Sequence, residues 1–338
     1  MNSLDRSARN EAALRLAATW CTALVFIVTC SSAYLRFSQA GLGCEHWPEC
    51  YGVIVAAGAP NVLGIADVAG AGVAVESTQT ALRLVHRFAA MGVTILALVI
   101  ALLCWYSARL RFRRIALAAA VVGLTAFLAI LGRWTAGSKI PAVTLGNLIG
   151  GFSLLAVLWS VRITTLPGNS AGVQHVGAIR YWSRLGVALI VLQVVTGGLM
   201  SAYFTAVSCA GFSSCLETSQ LQLASLAELN IFHTLAIAPN GRAGAPVWGP
   251  TLHLVHKLGA LAMAACIVGL ARILFLGGGN TRRRGAALLV LLLAQASLGL
   301  ALVMNGYPLL VAVGHNLISA CLLLVLVACH SQSGNEQG

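Results

Sequence analysis

The chain has 338 residues, 59% of them hydrophobic and only 9% charged. A soluble domain normally carries about 25% charged residues, so this composition excludes a water-soluble globular protein and makes lipid the main solvent. The net charge of +12 does not indicate nucleic-acid binding, because the basic residues stand in short clusters between apolar runs, where they act as topology signals.

A helix needs about 20 apolar residues to cross a bilayer. Eight stretches qualify: 14–36, 80–106, 115–136, 142–164, 181–204, 250–275, 285–304 and 308–329. The expected fold class is therefore an all-α integral membrane protein of eight transmembrane helices. The first run is too long for the apolar region of a cleavable signal peptide and lacks a small-residue cleavage site. Turns containing Gly137 and Pro141, and Gly306 and Pro308, join the third span to the fourth and the seventh to the eighth. Two longer and more polar segments, 37–79 and 205–249, follow the first and fifth spans, and Glu76 is expected outside the second helix.

Most Lys and Arg residues lie on one side: Arg6, Arg9 and Arg15, then Arg109, Arg111, Arg113 and Arg114, then Arg162, Arg180 and Arg184, then Arg272, Arg282, Arg283 and Arg284. The positive-inside rule then puts both termini in the cytoplasm and both long loops outside a plasma (inner) membrane.

The two halves repeat. Leu82-Arg-Leu-Val-His86-Arg in the second span matches Leu252-His-Leu-Val-His256-Lys in the sixth. Leu131-Gly132 followed by Pro141 matches Leu298-Gly299 followed by Pro308, and Ser32-Ala-Tyr34 recurs as Ser201-Ala-Tyr203, each followed by a Cys-x5-Cys. Both halves start on the same side, so the repeat is parallel, about an axis along the membrane normal. This predicts two pseudo-symmetric four-helix bundles, residues 1–165 and 166–338.

Ionisable residues inside a membrane are costly and usually functional. His86, His256 and His315 fall in spans at similar depth, with His253 one turn nearer the surface. A lone histidine is as easily a residue bonded to a neighbouring carbonyl, but the repeat shifts the weight towards a shared role. Two imidazoles facing each other across an apolar bundle suit haem iron. Zinc fits less well, since its sites want three or four ligands, often with a carboxylate, and none lies in these spans. Arg87 and Lys257 directly follow two of the histidines. They read equally as partners for haem propionates and as side chains reaching the lipid headgroups. Where the eighth span has Gly314-His315, the fourth has Gly146-Asn147, in a register that slips by one because Asn147-Leu-Ile also resembles Asn316-Leu-Ile. The second half thus offers two axial ligands, and the first offers His86 and an amide. A permanent cofactor wants the former, and a substrate that must leave tolerates the latter.

The cysteines sort by position. Cys44 and Cys50 lie in the first outer loop and Cys209 and Cys215 in the second, and an oxidising outer side predicts the disulfides Cys44–Cys50 and Cys209–Cys215. Each is a structural staple or a redox-active dithiol. His46, between Cys44 and Cys50, reads as a solvated loop residue. The other six cysteines lie in apolar helices and behave as small hydrophobes. Gly146, Gly150 and Gly151 allow close helix packing.

The loop Gly41-Leu-Gly-Cys44-Glu-His-Trp47-Pro48-Glu-Cys50-Tyr-Gly52, together with His86-Arg87, Leu131-Gly132-Arg-Trp-Thr135, His256-Lys257 and His315, resembles the motifs of the haem A synthases, in order over about residues 15–330. That family oxidises a methyl group of haem O to the formyl group of haem A for cytochrome oxidases. The resemblance implies a permanent haem b on His256 and His315, a substrate haem O at His86, a reactive pair in Cys44 and Cys50, and a structural disulfide in Cys209–Cys215. Two positions depart from the family pattern. Arg83 stands where a glutamate is usual, and Asn147 where a histidine is usual. Hydroxylating an unactivated methyl needs electrons and a strong oxidant, and no GxGxxG fold signature or P-loop is present to supply them. Haem A, membrane lipid, a haem O synthase and an electron donor are the implied partners, with no nucleic acid, and a homo-oligomer stays open. The competing readings are a bis-histidine cytochrome b-type electron-transfer protein, a quinone-linked thiol oxidoreductase, and a transporter. The missing fourth-span histidine disfavours the first, the paired span histidines the second, and the lack of mid-depth charge or broken helices the third.

Overall fold

A computed structural model describes residues 3–39, 69–106, 111–135, 138–166, 175–209, 211–219, 229–237, 243–244 and 246–332. In lipid every backbone amide must be bonded within its own segment, which leaves the helix as the natural spanning element for such apolar runs. The described helices are α1 (Ser3–Gln39), α2 (Ala69–Trp105), α3 (Arg111–Thr135), α4 (Pro141–Thr164), α5 (Val176–Ala202), the short α6 (Phe212–Ser219), α7 (Gly249–Leu276), α8 (Asn280–Met304) and α9 (Leu309–Gln332). Among the described residues there is no strand, only an isolated bridge between Ile237 and Ala243. All but α6 are long and apolar enough to cross a membrane, giving eight candidate spans where eight were expected.

The polar residues inside these helices satisfy themselves locally. Thr22, Thr29 and Ser160 each donate to the carbonyl four residues back, at 2.7, 2.8 and 2.8 Å, which hides a hydroxyl without breaking a span. The α8–α9 turn is tight because Gly306 and Tyr307 both take positive φ, 67° and 57°. Pro141 begins α4, where its missing N–H removes no helical bond.

The spanning helices pack in two rings. In the first, α1 lies on α2, α2 on α3, α3 on α4 and α4 on α1; in the second, α5 lies on α7, α7 on α8, α8 on α9 and α9 on α5. The rings meet where α4 lies on α9, flanked by α1 on α9 and α4 on α5. Gly146 and Gly150 of α4 do permit close packing: a Cβ there would fall 2.8 Å from Leu131 and 2.7 Å from Leu128 of α3 in the same chain. Gly198 does the same for the junction between rings, against Leu148 and Leu145.

Two readings of charged residues change. Glu76 lies inside α2, not ahead of it, because the small apolar run from Ala69 carries the helix beyond the spanning stretch. Arg114 is not a solvated topology signal. It is 1% exposed and donates to Glu11 Oε1 at 2.5 Å, Glu11 Oε2 at 2.8 Å and the Thr164 carbonyl at 2.9 Å. It ties α1 and the end of α4 to the start of α3. Arg284 of α8 donates in a similar way to the Ala328 carbonyl near the end of α9, at 2.8 Å. Both cations meet the carbonyl-rich end of a helix, where positive charge is favoured.

The second long loop folds back on the first ring. Ala142 N donates to Ile231 O at 2.8 Å and Leu235 N to Lys139 O at 3.0 Å. Beneath this contact Leu145, Leu199, Tyr203, Trp248 and Leu252 form a small buried cluster, in which the Tyr203 and Trp248 rings meet edge to face at 4.7 Å.

Candidate functional site

His256 and His315 belong to α7 and α9, which face each other diagonally across the second ring. Each imidazole meets a glycine on the adjacent helix. A Cβ at Gly197 of α5 would fall 3.3 Å from His256 Cε1, and one at Gly299 of α8 would fall 3.2 Å from His315 Cε1. The glycines therefore make room for the two rings to sit close against neighbouring backbones.

Two side chains hydrogen-bond around the His256 imidazole. The Thr196 hydroxyl donates along its own helix to Leu192 O at 3.0 Å. Its oxygen is 2.8 Å from His256 Nδ1; in the tautomer with the proton on Nδ1 the hydroxyl accepts that bond and the Nε2 lone pair is open to a metal. Second-sphere bonds of this kind commonly orient ligating histidines. With its amide turned so that both ends are satisfied, Gln193 donates to His256 O at 3.2 Å, accepts from Ala260 N at 3.2 Å and places its nitrogen 3.3 Å from His256 Nδ1. On α9 the arrangement differs. Gln295 Nε2 donates to His315 Nε2 at 3.0 Å and to Ser319 Oγ at 2.8 Å, while His315 Nδ1 is buried without a hydrogen-bond partner.

A disulfide joins Cys209 and Cys215 at the loop-bearing end of α7. His253, 4% exposed, places Nδ1 3.3 Å from Cys209 Sγ. Lys257 Nζ lies 3.1 Å from Cys215 Sγ and donates to Gly211 O at 3.0 Å. The second loop is thus pinned to α7 on either side of the turn that carries His256. The six remaining described cysteines, Cys21, Cys30, Cys104, Cys266, Cys321 and Cys329, are free thiols within spanning helices.

His86 of α2 lines a cavity of about 190 Å³ in the first ring. Helical stripes from four helices wall it: Val25, Thr29, Ser32 and Arg36 of α1; His86, Ala90 and Val93 of α2; Thr125, Leu128 and Gly132 of α3; and Asn147, Gly151 and Leu154 of α4. Asn316 of α9 enters from the other ring, one residue after His315. Gly132, the counterpart of Gly299, has nothing within 4 Å of its would-be Cβ, because no imidazole reaches it here. Arg87 and Arg83 are exposed and do not line this cavity. Cys44, His46 and Cys50 lie outside the described residues.

A family model described as cytochrome oxidase assembly protein matches residues 15–327. The chain belongs to that family. The heme A synthase of Shewanella oneidensis is 30% identical over 326 residues, covering 90% of this chain and 92% of the relative. For a cytochrome oxidase assembly protein built as a multi-pass membrane chain, the donor set in the second ring fits a haem. It offers two imidazoles on helices across a bundle diagonal and two glycines that leave room for their rings; His256 Nε2 makes no protein hydrogen bond in the Nδ1–H tautomer, and His315 Nε2 is held by Gln295.

Several members of the site escape a reading of the sequence. Thr196 and Gln193 are among many polar residues in apolar helices, and only their contacts single them out. Arg36 carries no repeat signature. Asn316 was visible only as an alignment ambiguity beside Asn147, yet both side chains line one cavity.

Proposed function

We propose that the chain oxidises a ring methyl of haem O to the formyl group of haem A, using a haem b held by His256 and His315 of the second half. Haem O occupies the first-half cavity at His86. The observation that carries this reading is the pairing of His256 and His315 across a bundle diagonal in a chain of this family. Haem b, when bound, would supply one-electron transfer chemistry in the membrane, which the helix side chains do not offer.

The chain's own residues bind, orient and exclude water. Thr196 sets the His256 tautomer. Gln295 occupies the His315 Nε2 lone pair and yields it on binding. In the first half, His86 is the one imidazole lining the cavity, and Asn147 and Asn316 offer carboxamides in place of a second strong ligand. A single strong ligand lets haem O enter and haem A leave. Turning the methyl into a formyl group is a net four-electron oxidation that adds one oxygen, so it needs an external oxidant and oxygen source that the chain's own residues do not supply. Cys44 and Cys50 take part as a redox pair at the outer face, and Cys209–Cys215 staples the second loop. Arg87 and Lys257 are cations of the outer interface. The arginine-rich side is cytoplasmic, with both termini, in the inner membrane. A haem O synthase and an electron donor are partners.

The test is co-expression with a source of haem O, followed by chromatography of the extracted haems. Accumulation of haem A and its hydroxylated intermediate is expected, and their absence overturns the reading. His256→Ala and His315→Ala each lose the bound haem b of the purified protein. His86→Ala stops conversion and leaves most haem b in place; a loss of haem b equal to that of His256→Ala defeats the division of labour between halves.

A further inference from the structure

The donors in the wall of the first-ring cavity are unevenly committed. The threonine hydroxyls spend their protons on their own helices: Thr29 donates to Val25 O at 2.8 Å, Thr94 to Ala90 O at 3.0 Å and Thr125 to Val121 O at 2.8 Å. Arg36 and Asn147 are engaged within the protein. Apart from His86, the polar wall residues that make no hydrogen bond to the described residues are Ser32 and Asn316. Of these, Asn316 brings an amide N–H2 group, with two protons to give. It belongs to α9, which packs on α1 and α4. It therefore enters the cavity through the α1–α4 seam, on the side away from α2 and His86. A carboxamide without partners is costly in apolar surroundings, and this one lines a cavity.

We infer that Asn316 is the hydrogen-bond donor for a small uncharged molecule bound to the porphyrin iron on the face away from His86. This rests on the reading that the cavity takes haem O on His86. An iron held by one imidazole keeps its other axial position for a small ligand such as dioxygen or carbon monoxide, and donors on that side decide how firmly the ligand is held. A carboxamide binds iron poorly itself, so it leaves that position open while offering N–H to whatever fills it. In an apolar chamber such a bond is electrostatically stronger than in water. The second ring has no room for this role, because there His315 stands across from His256. Asn316 follows His315 directly, so α9 gives an imidazole to one chamber and a donor to the other.

Carbon monoxide is the probe. The full chain is purified in detergent with its haem b, supplied with iron protoporphyrin IX, reduced and exposed to carbon monoxide. Haem b, with both axial positions filled by imidazole, stays silent, and the C–O stretch and the rate of carbon monoxide loss report on the first cavity. A donor at the ligand oxygen strengthens back-donation from iron and lowers the stretch. Asn316→Leu is therefore expected to raise the stretch and to speed carbon monoxide loss about fivefold, the worth of one hydrogen bond. Asn316→Gln, which keeps the carboxamide, restores part of both. Retained haem b shows that a variant has folded with His315 in place; if Asn316→Leu loses it, Asn316→Ala, which adds no volume, decides. An unchanged stretch in the Leu and Ala variants overturns the assignment, as does a shift produced by Ser32→Ala instead, or loss of haem b in every variant at position 316. His86→Ala is the separate control: if its carbon monoxide adduct matches that of the wild type, the cavity reading itself fails.

Discussion

Thr196 Oγ1 stands 2.8 Å from Nδ1 of His256 and 3.0 Å from the carbonyl oxygen of Leu192. With its proton on that carbonyl the hydroxyl accepts from Nδ1, and the imidazole presents Nε2. Thr196→Val keeps the shape and removes the acceptor. Haem b affinity should fall by about tenfold, the low end for lost second-sphere bonds to metal ligands, and the midpoint potential should move. Thr196→Ser should restore both. Redox titration of the purified pigment checks this, and an unchanged potential in Thr196→Val counts against the hydrogen-bond role.

Glycines at the two ring contacts lead to a graded expectation. Gly299→Val and Gly197→Val bring methyls into the His315 and His256 rings, whose Cε1 atoms already lie 3.2 and 3.3 Å from a modest Cβ. Both variants should be isolated with little haem b. Gly132→Ala, with nothing within 4 Å of the added carbon, should keep its haem b. The ratio of the haem absorbance band to protein decides, and equal retention in all three rejects the packing argument.

The buried Arg114–Glu11 pair should be asymmetric in its mutational cost. Glu11→Ala removes the carboxylate from a buried guanidinium that also donates to the Thr164 carbonyl and should cost about 3 kcal/mol. Replacing both residues by apolar ones of similar volume should cost much less. Thermal unfolding in detergent, followed by tryptophan fluorescence, gives the comparison; equal losses in the single and double variants contradict it.

How far the sequence reached depends on the kind of signal. The eight spans were legible because a run of about 20 apolar residues has few other uses. His86, His256 and His315 were legible because a repeat marks paired positions. Helix facing was not legible, since a span apolar on every side carries no stripe to show which way Arg36, Thr196 or Asn316 points. Arg114 was misread for a related reason: its partner Glu11 lies 103 positions away in sequence. Arg87 drew attention by standing next to His86, yet neighbours on a helix point about 100° apart.

Asparagine at position 147 gives a further test of the unequal halves. Asn147→His adds a second imidazole to the wall of the first cavity. Iron porphyrin loaded there should then show the spectrum of a low-spin, six-coordinate centre and dissociate more slowly. Conversion of haem O should slow as product release becomes limiting. A spectrum identical to that of the wild-type protein would indicate that residue 147 does not approach the iron.

Opening the Cys209–Cys215 bridge should cost about 2 kcal/mol, from the short loop it closes. Its contacts with His253 and Lys257 make the loss local to the head of α7. Cys215→Ser should show faster hydrogen exchange at residues 249–257 than elsewhere in the spans; uniform exchange would argue against a local role.

Residues 315 and 316 stand side by side on α9, one serving the second ring and the next lining the cavity of the first. A single extra residue inserted early in that helix would swing both by about 100°. Two chambers are therefore indexed to one screw thread. Neither can be retuned by sliding or turning this wall without mis-setting the other, so divergence between the halves has to proceed by exchanging side chains, as at position 147, while the thread itself stays in step.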